Sequence, residues 1–283
     1  MATSTLIKAL ENPVKRILMV RPTHFELKYS INPWMDMKRG VNREKALKQW
    51  NNLKTTIENC GAKVEVMEPY GAENLPDIVF AANAAIIKGN KAYLASFAHP
   101  ERQGERFFYE QWFTENGYEC VGDQDIPSEG AGDALWGGEQ YRTLFMGVGT
   151  RTDVRALRDV ANKLDDGSLD WKVIGCRLVD PRFYHIDTAF CPLNESVAIY
   201  YPYAFDHITR HNMRNETDLI EVSLKEARNF ACNAVVVGQN VIMHHQNDEI
   251  ANKLVKLGFT VRFTDMSEFI KSGGSAKCCT LQI

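Results

Sequence analysis

Cys278 follows a glycine-rich segment, Gly273-Gly274-Ser275-Ala276-Lys277, and His185 stands two residues before Asp187 in Phe183-Tyr184-His185-Ile186-Asp187-Thr188. A thiol in flexible, polar backbone can be reached by a substrate. A distant histidine flanked by a carboxylate can serve it as base or acid, because such partners meet in space and not in sequence. The chemistry on offer is attack through sulfur with proton transfer through imidazole. The competing reading of Cys278 is a small core residue, where most free cysteines end up.

The elements that would position these residues repeat. Apolar residues at helical spacing (Ala46, Leu47, Trp50, Leu53, Ile57) stop at Gly61 and precede Val64 and Val66. Phe107, Phe108, Trp112 and Phe113 lead through Gly117 to Tyr118–Val121, and Ile250, Leu254, Val255 and Leu257 lead through Gly258 to Phe259–Phe263. Strand candidates at Trp171–Ile174 and Leu219–Val222 add two more of the same kind.

After each such strand comes a turn with unusual polar or reactive residues, marked by Asn83, Glu129, His185, Asn233 and Cys278, at separations of 46, 56, 48 and 45. Near-equal spacing suggests a closed array whose equivalent turns meet on a common axis. No linker of biased composition divides the chain, so residues 1–283 are read as one domain.

Composition narrows the partner. The chain has 283 residues, 45% hydrophobic and 24% charged, with a net charge of -3, which supplies no basic field for a nucleic acid or an anionic membrane. A small molecule is the expected partner. Met1–Pro13 lacks a continuous apolar stretch, so no secretory segment is expected, and no run has the length needed to span a bilayer. Seven cysteines form no framework spacing, which points to free thiols in a reducing, cytoplasmic setting.

The set Arg21-Pro22-Thr23-His24, Ile31-Asn32-Pro33-Trp34-Met35, Pro76-Asp77-Ile78-Val79-Phe80, His99-Pro100-Glu101-Arg102-Gln103-Gly104-Glu105, Glu129-Gly130-Ala131-Gly132-Asp133, the His185 segment and the C-terminal cysteine resembles the guanidino-modifying superfamily. That superfamily holds arginine deiminases, dimethylarginine dimethylaminohydrolases, amidinotransferases and arginine dihydrolases. The resemblance covers nearly the whole chain, and Ile-Asn-Pro-Trp-Met with Ala-Asn-Ala is most similar to the dihydrolase branch. It implies an α/β fold, a five-bladed α/β propeller (pentein) of ββαβ modules with pseudo-fivefold symmetry and the active site on the axis.

The resemblance also implies roles. Cys278 is the nucleophile, two positions before Thr280, and Cys279 is a structural thiol pointing the other way on an extended segment. His185 is the general acid and then the base, with Glu129 orienting its ring. Asp187 faces the guanidinium, Arg102 and Arg151 hold the α-carboxylate, Asp77 lies near the substrate's amino end, and Asn32 is a further pocket candidate. The chemistry calls for such a set, because a guanidinium carbon is a poor electrophile and a free thiol, with a pKa of about 8.5, is only a few per cent thiolate at neutral pH.

One position departs from the deiminase pattern. Asn83 stands where deiminases and dimethylaminohydrolases carry an aspartate, and the dihydrolases share the asparagine. An amide can donate a hydrogen bond to the ureido oxygen of a citrulline intermediate, which an ionised carboxylate cannot.

The leading expectation is therefore an arginine dihydrolase giving ornithine, ammonia and CO2 through an amidino-thioether. Alternatives are a dimethylaminohydrolase or deiminase giving citrulline, an amidinotransferase, and a non-catalytic arginine-binding protein. No cofactor and no metal is expected. His207 and His211 read as a solvated helix face, and the adjacent His244 and His245 as unable to put both rings on one face of a strand. A homo-oligomer stays open.

Overall fold

The computed structural model describes residues 14–165, 167 and 171–283. The reading of Met1–Pro13 lies outside the described residues. The strands fall in chain order as β1 (Arg16–Val20) and β2 (Lys63–Met67); β3 (Ala85–Lys88), β4 (Lys91–Leu94) and β5 (Glu119–Val121); β6 (Ala134–Gly137), β7 (Thr143–Val148) and β8 (Lys172–Arg177); β9 (Phe190–Pro192), β10 (Val197–Tyr200) and β11 (Asp218–Glu221); β12 (Val235–Val237), β13 (Asn240–His244) and β14 (Thr260–Thr264); and β15 (Leu281–Gln282).

They form five three-stranded sheets of one pattern. An inner strand pairs antiparallel with a middle strand, which pairs parallel with an outer strand, as in β3-β4-β5 and β12-β13-β14. The first sheet is closed by both ends of the chain, β15-β1-β2, with Leu18 opposite Leu281. Each parallel pair needs a crossover, and a helix supplies it. Five such ββαβ modules make the expected five-bladed α/β propeller.

The middle strands read as nearly continuous apolar runs (Ile17-Leu18-Met19-Val20, Leu144-Phe145-Met146) because both of their faces are covered. The sequence-derived strands are the outer ones, whose positions agree to within a few residues. The inner strands, two to four residues long, carry no period of their own.

The crossover helix Arg43–Asn59 starts at Asn42, whose side chain accepts from Lys45 N, and buries Ala46, Trp50, Leu53 and Ile57. Gly61, Gly117 and Gly258, which follow three of the helices, all take positive φ, so each helix ends where the glycine allows the chain to reverse. Four residues expected on the apolar stripes are exposed instead: Leu47, Phe107, Val255 and Leu257. Leu47 and Val255 each lie one residue, about 100° of helix, beyond a buried neighbour, Ala46 and Leu254. His207 and His211 lie on the exposed face of the helix His207–Arg214, as read.

The five marked turns meet at the centre, linked in a closed ring. Ala82 N donates to Cys278 O (3.0 Å), Asn83 Nδ2 to Glu129 O (3.1 Å), Ile186 N to Asp133 Oδ1 (3.0 Å), Asn233 Nδ2 to Asp187 O (3.2 Å) and Lys277 N to Asn233 O (3.3 Å). Each turn is thus tied to the next.

Candidate active site

The segment Gly273–Thr280 is neither exposed nor extended. It is mostly buried, and residues 277–280 form a turn in which Thr280 N donates to Lys277 O. Strand alternation is therefore not what separates the two thiols. The turn leaves Cys278 lining a cavity and Cys279 packed in the core at 0% exposure.

The cavity has a volume of about 10 Å³. Asn32, Asp77, Asn83, Arg102, Arg151, His185 and Cys278 all line it. Glu129 and Asp187 stand immediately behind, each fully buried. All nine residues singled out in the sequence are thus in or against one cavity.

Cys278 Sγ lies 3.3 Å from Asp187 Oδ2 and accepts from Asn233 Nδ2 at 3.0 Å. The other Asp187 oxygen, Oδ1, is buried with no hydrogen-bond partner. An orphaned carboxylate oxygen is costly to bury, so it suits a donor brought by a ligand. Burial raises the Asp187 carboxyl to about 6, although Lys277 acts against the rise. Burial, together with the Asp187 charge, pushes the Cys278 thiol well above its ordinary value. A cation placed against Asp187 would reverse both effects by favouring the charged forms.

His185 Nε2 and Arg151 Nη1 converge on one oxygen, Glu129 Oε2, at 2.7 and 2.9 Å. Burial acts to raise the Glu129 carboxyl, but Arg151 and His185 outweigh it and hold it well below the usual carboxylate range. Glu129 is therefore an ionised anchor for the imidazole. Asp133 Oδ2 lies 4.0 Å from His185 Nε2 and accepts from Thr152 Oγ1 at 2.7 Å. Burial raises Asp133 to about 6.

The two arginines are already engaged. Arg102 forks onto Glu105 at 2.7 and 2.8 Å and also donates to Asn83 Oδ1 and Asp77 O. Arg151 Nη2 donates to Ile31 O at 2.9 Å, and its guanidinium lies 4.7 Å above the Tyr184 ring. Of its five donors Arg151 keeps more in reserve than Arg102. Burial pushes the Asp77 carboxyl up, with Arg102 opposing. Asn32 Oδ1 accepts from Trp34 N, closing the turn before Pro33, while its amide donates to Ser272 O at 3.1 Å, so it both shapes the turn and ties two rims of the cavity.

Sequence reading missed several participants. Glu105 and Asp133 lay inside quoted motifs without a role, Tyr184 stood beside His185 and donates to Gly273 O at 2.7 Å, and Asn233 served only as a spacing marker. His244 and His245 also depart from expectation. His245 falls just past the end of β13, and the ring centroids lie 4.1 Å apart. With Asp265 they place ligand atoms within 4.8 Å of one another. His244 Nδ1 already accepts from Met266 N and Asp265 is 3.6 Å from Lys45, so these donors are largely engaged. The group is not part of the cavity wall.

Known proteins share this architecture. The chain is 42% identical over 274 residues to the bifunctional arginine dihydrolase/ornithine cyclodeaminase ArgZ of a Synechocystis strain, covering 95% of this chain and 37% of that protein. The corresponding values for AgrE of a Nostoc strain are 40%, 95% and 38%, so the chain spans less than two-fifths of these relatives' length. It is 38% identical to the N(G),N(G)-dimethylarginine dimethylaminohydrolase of Mycobacterium tuberculosis, covering 95% of this chain and 86% of that one. The N-terminal domain of ArgZ bound to product superposes with a TM-score of 0.89 at 41% identity, covering 95% of this chain and 97% of that one. AgrE with L-arginine gives 0.89 at 38% identity, with 95% of this chain and 40% of that chain covered. Residues 21–283 match the family described as N,N dimethylarginine dimethylhydrolase, eukaryotic, and the chain belongs to that family, within the guanidino-modifying superfamily.

Proposed function

We propose that the protein hydrolyses the guanidino group of free L-arginine as an arginine dihydrolase, giving ornithine, two ammonia and CO2. The observation that carries this is the unpartnered Asp187 Oδ1 beside the Cys278 sulfur, a buried acceptor and a nucleophile set together in a cavity walled by ionisable groups. A planar cation with several N–H donors satisfies that oxygen and brings its carbon to the sulfur.

In this reading Asp187 orients the guanidinium and Cys278 attacks its central carbon. His185, held by Glu129, protonates the departing ammonia and then activates water to release the thioether. Arg151 and Arg102 bind the α-carboxylate, Asp77 the amino group, and Asn32 supports the cavity rim. Citrulline stays bound for a second round, helped by Asn83. The same reading takes residues 1–283 as one cytoplasmic domain, open to homo-oligomer formation, that works without cofactor or metal and without nucleic-acid or membrane partners. Among the described residues no helix is long and apolar enough to cross a membrane.

A dimethylarginine dimethylaminohydrolase ending at citrulline is the second reading, favoured by the family description and by the mycobacterial relative. Asn83 weighs against it. Incubation with arginine, monomethylarginine, dimethylarginine and citrulline, with ammonia and amino-acid products quantified, separates the two. Ornithine from arginine supports the dihydrolase; citrulline alone overturns it.

A further inference from the structure

Asn233 has no exposed surface, and its carboxamide is fully used. Oδ1 accepts from Ser275 N and Cys278 N, both at 3.1 Å, while Nδ2 donates to Asp187 O at 3.2 Å and Cys278 Sγ at 3.0 Å. The two backbone N–H groups fix which end of the amide is oxygen. A flipped amide would set oxygen against the sulfur and a carbonyl, so only the observed orientation is compatible with its surroundings. The sulfur thus sits between a donor, Asn233, and an acceptor, Asp187 Oδ2.

We infer that Asn233 is the residue that stabilises negative charge on the Cys278 sulfur as that charge develops, and that its Nδ2–H group chiefly serves the step in which sulfur departs. This rests on the guanidino-hydrolase reading. In the first half of that reaction the C–S bond forms, a C–N bond breaks, and the thiol proton ends on the departing ammonia. In the second half the oxygen of water bonds to the carbon and the C–S electron pair returns to sulfur. The protons of that water leave through His185, one to the thiolate and one to solvent. A fixed N–H aimed at the sulfur stabilises charge as it develops there. A dihydrolase breaks the C–S bond twice per arginine, so the donor acts twice.

Asn233→Asp keeps shape and acceptor but replaces the donor by oxygen; Asn233→Ser removes its reach. Each variant and the native enzyme are mixed with arginine, quenched at intervals, and the mass adduct on Cys278 is followed across pH. The expected result is an adduct that breaks down about ten- to a hundredfold more slowly and accumulates, as follows from losing a hydrogen bond to a charged group, with the pH profile of adduct formation displaced upward. Breakdown at the native rate with an unmoved pH profile, even with kcat/KM reduced, overturns the inference and leaves Asn233 a loop support. Should neither variant fold, Asn233→Gln, which keeps the amide but moves its N–H from the sulfur, is carried through the same adduct assay, with slowed breakdown supporting the inference and the native rate with an unmoved pH profile overturning it. A native enzyme that neither forms an adduct nor consumes arginine instead sinks the hydrolase reading beneath it.

Discussion

Arg102 Nη1 donates to Asn83 Oδ1 across 2.9 Å, and this contact decides how the asparagine faces its cavity. The amide oxygen is occupied, and the amide nitrogen points to Glu129 O at 3.1 Å with one N–H left over. That remaining donor is what an aspartate at position 83 would lack.

Asn83→Asp should accumulate citrulline at the expense of ornithine. The new carboxylate keeps Arg102 but turns an acceptor toward the Glu129 carbonyl and toward a ureido oxygen. The loss of about 1–3 kcal/mol in holding citrulline shifts partitioning by roughly one to two powers of ten. Product ratios at single turnover check it, and an unchanged ratio removes Asn83 from the second hydrolysis.

The adjacent thiols should separate cleanly. Cys278→Ser abolishes turnover and labelling by a guanidino-directed electrophile, whereas Cys279→Ser, altering a core position away from the cavity, keeps most activity. The reverse pattern would move the nucleophile to Cys279.

Asp187 ties the site to stability. Its carboxyl is raised from 3.8 to about 6, so the folded state binds the proton more tightly than the unfolded one. The associated stability is fully present below about pH 4 and is lost as pH rises through about 6. Asp187→Asn should therefore be inactive yet more stable than the native protein at neutral pH, by up to about 2–3 kcal/mol, with the gap closing below about pH 4. Denaturant titrations at both pH values test this; a variant less stable at neutral pH contradicts it.

Gly132 packs against the Asn83 amide so closely that an added Cβ would overlap Asn83 Nδ2. Gly132→Ala should displace that amide from Glu129 O and lower ornithine formation at least tenfold with little change in far-UV circular dichroism. Native ornithine formation in this variant would show that the position of Asn83 is unimportant.

Much of this organisation was legible in the chain. The even spacing of Asn83, Glu129, His185, Asn233 and Cys278 reflects one structural cause, the turn that each module contributes to the central ring. The outer strands were visible because a helix with an apolar stripe precedes several of them. The inner strands were not, since β9, β12 and β15 are too short for alternation to register. The partners of Arg102 were also hidden. Glu105 lies three residues away, but only the folded backbone brings both carboxylate oxygens to the guanidinium fork. The burial of the glycine-rich segment went unread because small polar residues fill a tight turn as well as they fill an open loop.

The cavity of about 10 Å³ has, as it stands, roughly the space of one water molecule. Its rims are joined by Arg151 to Ile31 O and by Asn32 to Ser272 O, the two contacts that a larger ligand would have to part. The fraction of time spent parted divides the apparent affinity. In the proposed dihydrolase the same closure would also act as a timer. A citrulline formed inside would leave only as the rims part, so ornithine yield would be set by a race between reopening and the second attack. Loosening either rim contact should speed capture of arginine while spilling more citrulline.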